Sequence, residues 1–243
     1  MLVLLPPSET KAPGGDGPPL DLDLLSFPEL NPVRRKIADA LVDLAADVPA
    51  SLKALNLSPR QEDEVARNAA IWASPTSTTL KRYTGVLYDA LDIASFTKAQ
   101  RAKAGQRLAI ASALFGIARG SDRIPAYRLS GGSSLPPLGT LRSLWRPALE
   151  PVFAGLDELV VDLRSGPYAA LARIPGAVTV RVVTPGGTTV SHHNKAYKGK
   201  LAAVLAKAPR QPSTVEGVVT IVRRAGLPIE RTGDLELELL TQG

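Results

Sequence analysis

Leu2-Val3-Leu4-Leu5-Pro6-Pro7-Ser8-Glu9-Thr10-Lys11 begins with an apolar run that two prolines halt. Four successive branched aliphatic side chains predict a buried strand. Proline fixes φ and has no ladder donor, so the strand ends at Leu5. The residues released beyond it carry a hydroxyl, a carboxylate, a second hydroxyl and an ammonium. That set at a strand's end predicts a functional loop, because α/β folds place their sites there.

The elements expected further along decide how that strand is covered. Asn31-Pro32 opens a helix to about Asp47, with Ile37, Leu41 and Leu44 on one face. Ser58-Pro59-Arg60-Gln61 combines a cap, a first-turn proline and a capping-box glutamine, and starts a helix to about Trp72. Residues 82–84 read as a short strand that turns at Gly85 into a helix holding Leu87, Tyr88 and Leu91. Residues 96–105 read as a helix ended by Gly105. Residues 107–114 fit either a buried strand or a continuing helix, the short apolar run favouring the strand.

Helices are expected at 141–153, 195–207 and 214–224, and strands at 159–163 and 178–183. Pro185-Gly186-Gly187 reads as a turn, and 229–231 with 235–240 as a hairpin. The second arm of that hairpin alternates Leu and Glu as an edge strand does. Residues 12–26 read as a surface loop too polar to pack, and 130–137 as loop. There is no internal repeat, and strands and helices mix without regular βαβ spacing. The class is therefore α/β with mixed α+β character: a single domain, with a mixed sheet or open barrel surrounded by helices.

Bulk properties narrow the function. A chain of 243 residues, 44% hydrophobic, can bury one large core or two small ones, and the lack of a long composition break favours one domain. The lack of cysteine excludes disulfides and thiolate metal sites and fits a reducing compartment. Leu2–Leu5 has no basic leader and is too short for a signal peptide, and no run approaches the roughly 20 apolar residues of a membrane helix. A cytoplasmic protein without a membrane partner is expected.

The net charge of +6 is unevenly placed. Residues 98–147 hold nine basic residues against Asp122, and 191–224 hold seven against Glu216, so the remainder is acidic. Such polarity suits a polyanion or a phosphorylated ligand, and equally suits solvated helix faces.

Several segments carry a resemblance when taken together. LLPPSETK (4–11), YTGVLYDAL (83–91), SALFGIARGSDRIPAYRL (112–129), Trp145, VDLRSGPY (161–168) and KAYKG (195–199) resemble, in order, the YaaA family of peroxide-stress proteins. The match spans essentially the whole chain. The resemblance implies a single-domain α/β fold of unusual topology and a cytosolic role in limiting iron-driven oxidative damage. It also implies DNA binding through a helix-hairpin-helix-like element. Positions matching the family pattern are Lys11, Tyr83, Gly85, Tyr88, Gly116, Tyr127, Arg128, Trp145, Ser165, Tyr168, Lys195 and Gly199. The chain departs from the pattern at Gly120, where proline is usual in the hairpin that would face DNA, and at Ser130-Gly131-Gly132.

The residues offer their own chemistry. Ser8-Glu9-Thr10-Lys11 reads as the S-x-x-K of serine–lysine catalysis, although here it follows a strand and two prolines; Lys11 alone also suits an anion. Ser165-Gly166-Pro167-Tyr168 follows a strand and opens a helix, either an anion cradle or an ordinary cap. Tyr127-Arg128 and Lys195-Ala196-Tyr197-Lys198-Gly199 pair charge with rings, as nucleotide contacts do. Asp89, Asp92 and Asp162 are possible acids or bases. His192 and His193, read as strand neighbours, point to opposite faces and cannot share a metal. No metal and no cofactor are expected.

Two functions follow, with a scaffold that contacts an acidic protein as a third. The first is a monomer that binds DNA through the basic face, with Tyr127 or Trp145 against exposed bases. The second is an enzyme whose anionic pocket is built from Lys11, Tyr83, Tyr88, Arg128, Ser165 and Lys195. It would act on a nucleotide-like or other small anionic metabolite; Tyr168 and Lys198 are expected to contact the ligand or the nucleic acid, whichever is bound.

Overall fold

A computed structural model describes residues 1–184 and 191–241, with backbone alone at 191–193. β1 (Leu2–Leu5) and β3 (Leu108–Ser112) are buried at every residue, so their sheet is covered on both faces. Both lie within a seven-stranded mixed sheet with β4 (Gly116–Arg119), β8 (Val160–Asp162), β9 (Val178–Val183), β10 (Ile229–Arg231) and β11 (Glu236–Leu240). The strand order is β10-β11-β9-β8-β1-β3-β4; only β3–β4 and β10–β11 pair antiparallel. The sheet is open, with edges at β10 and β4. Two small ribbons accompany it: β2 (Ser77–Thr78) with β5 (Arg123–Ile124), and β6 (Ser134–Leu135) with β7 (Gly139–Thr140).

The helices form two packed groups. In one, α1 (Asn31–Leu44) meets α2 (Val48–Ala54), α3 (Glu62–Ala69) and α7 (Leu141–Ala154). In the other, α9 (Ser191–Lys207) packs against α5 (Val86–Leu91), α6 (Lys98–Arg107) and α10 (Val215–Arg224). The single turns α4 (Thr79–Arg82) and α8 (Gly166–Ala169) complete the set. Close approach of α5 and α9 depends on Gly199, where a Cβ would overlap the Leu87 carbonyl. Gly116 has φ +70°, and a Cβ there would lie 2.7 Å from Trp145 Cζ3. Among the described residues, no helix is long and apolar enough to cross a membrane.

The α/β class with a mixed sheet holds, and 107–114 resolves in favour of the strand, with α6 running through Gly105 to Arg107. The Ser58 box forms as read, its N–H donating to Gln61 Oε1 at 3.1 Å. Five readings need correction. Within 130–137, read as loop, Ser134–Leu135 forms β6 and pairs with β7. Leu20, Leu22 and Leu25 are buried, so 12–26 does pack; Arg82 donates to the carbonyls of Ala12 and of Gly14 (2.7 Å) within it. β11 is no edge, because β9 pairs along its other side. Arg82 ends a helical turn, and Tyr83 makes only an isolated bridge, to Lys11. His192 and His193 lie in α9, not in a strand. The turn expected at 185–187 lies outside the described residues.

Candidate functional site

β1 lies between β8 and β3, both parallel to it, and the chain leaves β1 for β3 and later returns on the other side as β8. The carboxyl end of β1 is therefore the switch point of the sheet, where open α/β sheets form a crevice. Lys11 follows this strand, Ser112 ends β3 and Asp162 ends β8.

Lys11 is held there by the bridge to Tyr83 and is 8% exposed. Its ammonium donates to the Ser8 carbonyl at 3.2 Å and the Glu9 carbonyl at 3.5 Å. It lies 4.3 Å from the centroid of the Tyr127 ring and 5.4 Å from that of Tyr83. Electron-rich ring faces and carbonyl oxygens stabilise the cation. Burial removes water and lowers its pKa to about 8; nearby Glu9 opposes that shift and Arg128 adds to it. Among the described residues Lys11 makes no ion pair.

The tyrosines around it form a connected group. Tyr83 and Tyr127 join hydroxyl to hydroxyl at 2.8 Å, and the Tyr127 hydroxyl also meets Ser112 Oγ at 2.8 Å. Tyr88 stacks on Tyr83 with centroids 5.5 Å apart and donates to the Pro6 carbonyl at 2.8 Å. The Tyr168 hydroxyl accepts from Gly131 N–H at 3.1 Å. Desolvation raises all four phenols, Tyr83 to about 12, so none is a ready base near neutrality.

Arg128 borders this group and opens onto solvent. Asn68 clamps its backbone, with Nδ2 donating to its carbonyl at 2.9 Å and Oδ1 accepting its N–H at 2.8 Å. Its guanidinium pairs with the half-exposed Glu9 carboxylate at 3.0 Å and reaches the Glu9 carbonyl at 3.4 Å. Glu9 and Arg128 also line an open cleft of about 820 Å³, together with Lys53 on α2, Ser130 and Ser133. The arrangement offers a carboxylate- or phosphate-sized anion two cations and several hydroxyls.

Over residues 1–229 the chain matches the family described as peroxide stress protein YaaA. The chain belongs to the YaaA family. A UPF0246 protein of Corynebacterium efficiens is 49% identical, covering 95% of each chain. A UPF0246 protein of Streptomyces coelicolor is 41% identical over 95% of this chain and 92% of its own. An uncharacterized protein of Campylobacter jejuni is 27% identical over 85% of each. Membership makes this a peroxide-stress-associated protein.

Not every residue that carried the YaaA resemblance lies in this group. Trp145 is fully buried, its Nε1 donating to the Ala113 carbonyl at 2.8 Å, and Tyr127 is 2% exposed. Neither ring offers a face to a nucleic-acid base. Ala113 through Ala118 are buried, and Gly120 packs on Leu80, so most of the β3–β4 hairpin lies within the core. Ser165 is exposed and makes no capping bond. Lys195 is exposed on α9, apart from the buried group, whereas Lys198 Nζ donates to the Leu163 carbonyl at 2.9 Å. Asp162 is occupied by Arg164, with contacts of 2.8–3.1 Å. The serine–lysine pair does not form: Lys11 meets the Ser8 carbonyl, and Ser8 Oγ pairs with Thr10 Oγ1 at 3.0 Å. Among the described residues no cluster could hold a metal ion.

Ser112 and Asn68 were not singled out from the sequence, and Glu9 and Gly131 entered only as members of longer segments. Glu9 and Ser112 lie inside the matching segments and could have been flagged. Asn68 sits in a strongly polar helix with nothing local to mark it.

The basic stretches also divide. Arg107 donates to the Ala206 carbonyl at 3.1 Å, Arg119 pairs with Glu158 at 3.0 Å, and Arg123 pairs with Asp16. Lys98, Arg101, Lys195, Lys200, Arg210 and Arg224 are exposed and lie in no ion pair among the described residues.

Proposed function

We propose that this YaaA-family protein acts in the cytoplasmic peroxide-stress response by binding DNA along the surface of α6, α9 and α10. The single observation behind this reading is that α6 and α9 pack together and contain no acidic residue, while the one acid of α10, Glu216, is engaged by Arg231. Lys98, Arg101, Lys195, Lys200 and Arg224 then neutralise phosphates with no carboxylate on α6 or α9 to compete. The contact is to the backbone and so takes duplexes of any sequence; it needs no helix-hairpin-helix. Gel-shift titration at increasing salt tests it. The affinity should fall by about 0.9 log units per log unit of salt for each phosphate neutralised. Charge-neutral variants at Lys98, Arg101 and Lys200 should flatten that slope, and absence of binding at low salt ends the reading.

A second reading is carried by a different observation, the buried Lys11 ammonium without an ion pair beside Arg128 at the switch point. It makes the adjoining cleft a site for a small anionic metabolite. Thermal-shift screening against phosphate and carboxylate compounds tests it, because a ligand of the native state alone raises Tm. An Arg128→Ala variant should lose the shift.

A further inference from the structure

Three relationships converge on the Glu9 loop. Lys11 Nζ and Arg128 Nη1 both donate to the Glu9 carbonyl, at 3.5 and 3.4 Å. Two nitrogens this close to one oxygen lie less than about 7 Å apart. The Glu9 side chain then turns outward and lays its own carboxylate on Arg128 at 3.0 Å, at the wall of the cleft. That carboxylate is half-exposed, so its pairing contributes little and an incoming group displaces it at small cost.

We propose that Lys11 is a nucleophilic amine for small carbonyl compounds that bear a carboxylate, which Arg128 receives in place of Glu9. The inference rests on the small-anion reading of the cleft and deepens it. A compound with its carboxylate on Arg128 spans the short distance that puts its carbonyl carbon at Nζ. The uncharged amine adds to that carbon, forming the N–C bond as the C=O π bond opens. Both amine hydrogens then leave with the carbonyl oxygen as water, giving an imine; the proton that the ammonium first gives up goes to bulk water. No oxidant or metal is needed. Burial beside a second cation is the setting that keeps a lysine partly uncharged near neutrality. The rings of Tyr83 and Tyr127 lie against the amine, their centroids 5.4 and 4.3 Å from Nζ, and Glu9 and Arg128, which flank it, line the cleft.

The test is trapping of the wild-type chain with glyoxylate and borohydride, read by peptide mass spectrometry. Lys11 should be alkylated before the exposed Lys98 and Lys200. The Lys11-to-Lys98 ratio should fall when acetaldehyde, which has no carboxylate, replaces glyoxylate, and when acetate is added as competitor. Glu9→Gln should raise the Lys11 rate by about three- to five-fold, the scale of a weak exposed ion pair. Labelling of Lys11 no faster than of Lys98, or an unchanged ratio with acetaldehyde, overturns the proposal. If acetate raises Tm in the wild type but not in Arg128→Ala, while Lys11 stays unlabelled, covalent chemistry fails and the anion site stands. If neither occurs, both fail. The wild-type map needs no variant to fold.

Discussion

Tyr83 and Tyr127, 44 residues apart in the chain, meet hydroxyl to hydroxyl at 2.8 Å in the interior. Tyr127 continues the chain to Ser112 Oγ, which accepts from Phe115 N–H at 2.9 Å. The hydrogen-bonded line ties Tyr83, which bridges to Lys11 in the loop after β1, to the end of β3. Tyr127→Phe removes the central hydroxyl, taking the Tyr83 hydroxyl's partner and one of the two partners of Ser112 Oγ, at a cost of about 2 kcal/mol. Tyr83→Phe leaves Tyr127 its serine partner and should cost about 1 kcal/mol. Urea denaturation of both variants checks the order; equal losses would contradict the central placement of Tyr127.

Arg34 is fully buried and spreads its guanidinium over four acceptors. Nε donates to the Phe115 carbonyl at 3.0 Å, Nη2 to Ile117 and Ser26 carbonyls at 2.8 Å, and Nη1 to Asn31 Oδ1 at 2.9 Å. Loss of water lowers its pKa to about 10 without discharging it at neutral pH. Arg34→Met leaves the carbonyls unanswered and should lose more than about 3 kcal/mol. Arg34→Lys should recover only part, since one ammonium cannot fork across β4. Urea midpoints of the two variants measure the difference.

Lys11 gives the stability a pH dependence of known sign. Its pKa falls from 10.5 to about 8 on folding, so between those values the unfolded chain holds more protons than the native one. Stability is withheld below pH 8 and recovered as pH rises toward 10.5. Lys11→Met carries no such penalty. The wild-type deficit relative to it should shrink by about 3 kcal/mol between pH 7 and pH 10.5. Tyr83, raised to about 12, acts oppositely, and its contribution is lost in both proteins as pH climbs past 10. Paired urea titrations across this range measure the difference; a flat difference would refute the burial argument.

Gly199→Ala forces a methyl into the Leu87 carbonyl and to within 2.9 Å of Ala90 Cβ, so α5 and α9 must separate. A loss of about 2 kcal/mol or more is expected, in the range of core overpacking. Gly132→Ala, with nothing within 4 Å, should melt close to the wild type. Thermal melts of the pair decide whether the glycine serves packing.

Much of this was legible in short windows. The prolines after Leu5, the box at Ser58 and Gln61, and the apolar run before Leu114 state local backbone preferences that neighbours reinforced. The burial of Leu20, Leu22 and Leu25 was not legible, because it depends on Arg82 holding the loop from 70 residues away. Trp145 was misread for a similar reason: an aromatic beside arginines looks like a surface contact until Gly116 is seen to leave space for the ring.

Periodicity, turn chemistry and composition fixed where strands and helices form, since those follow from steric limits within a few residues. The arrangement of charge was decided in three dimensions. Arg107 and Arg119 turned to internal partners, and Lys198 to a backbone carbonyl, while Lys195 stayed in solvent. Only the parallel pairing of β1 with β3 and β8 brought Lys11, Tyr83, Tyr127 and Arg128 together. A side chain's electrostatic environment is set by what surrounds it in space, and chain distance carries almost none of that information.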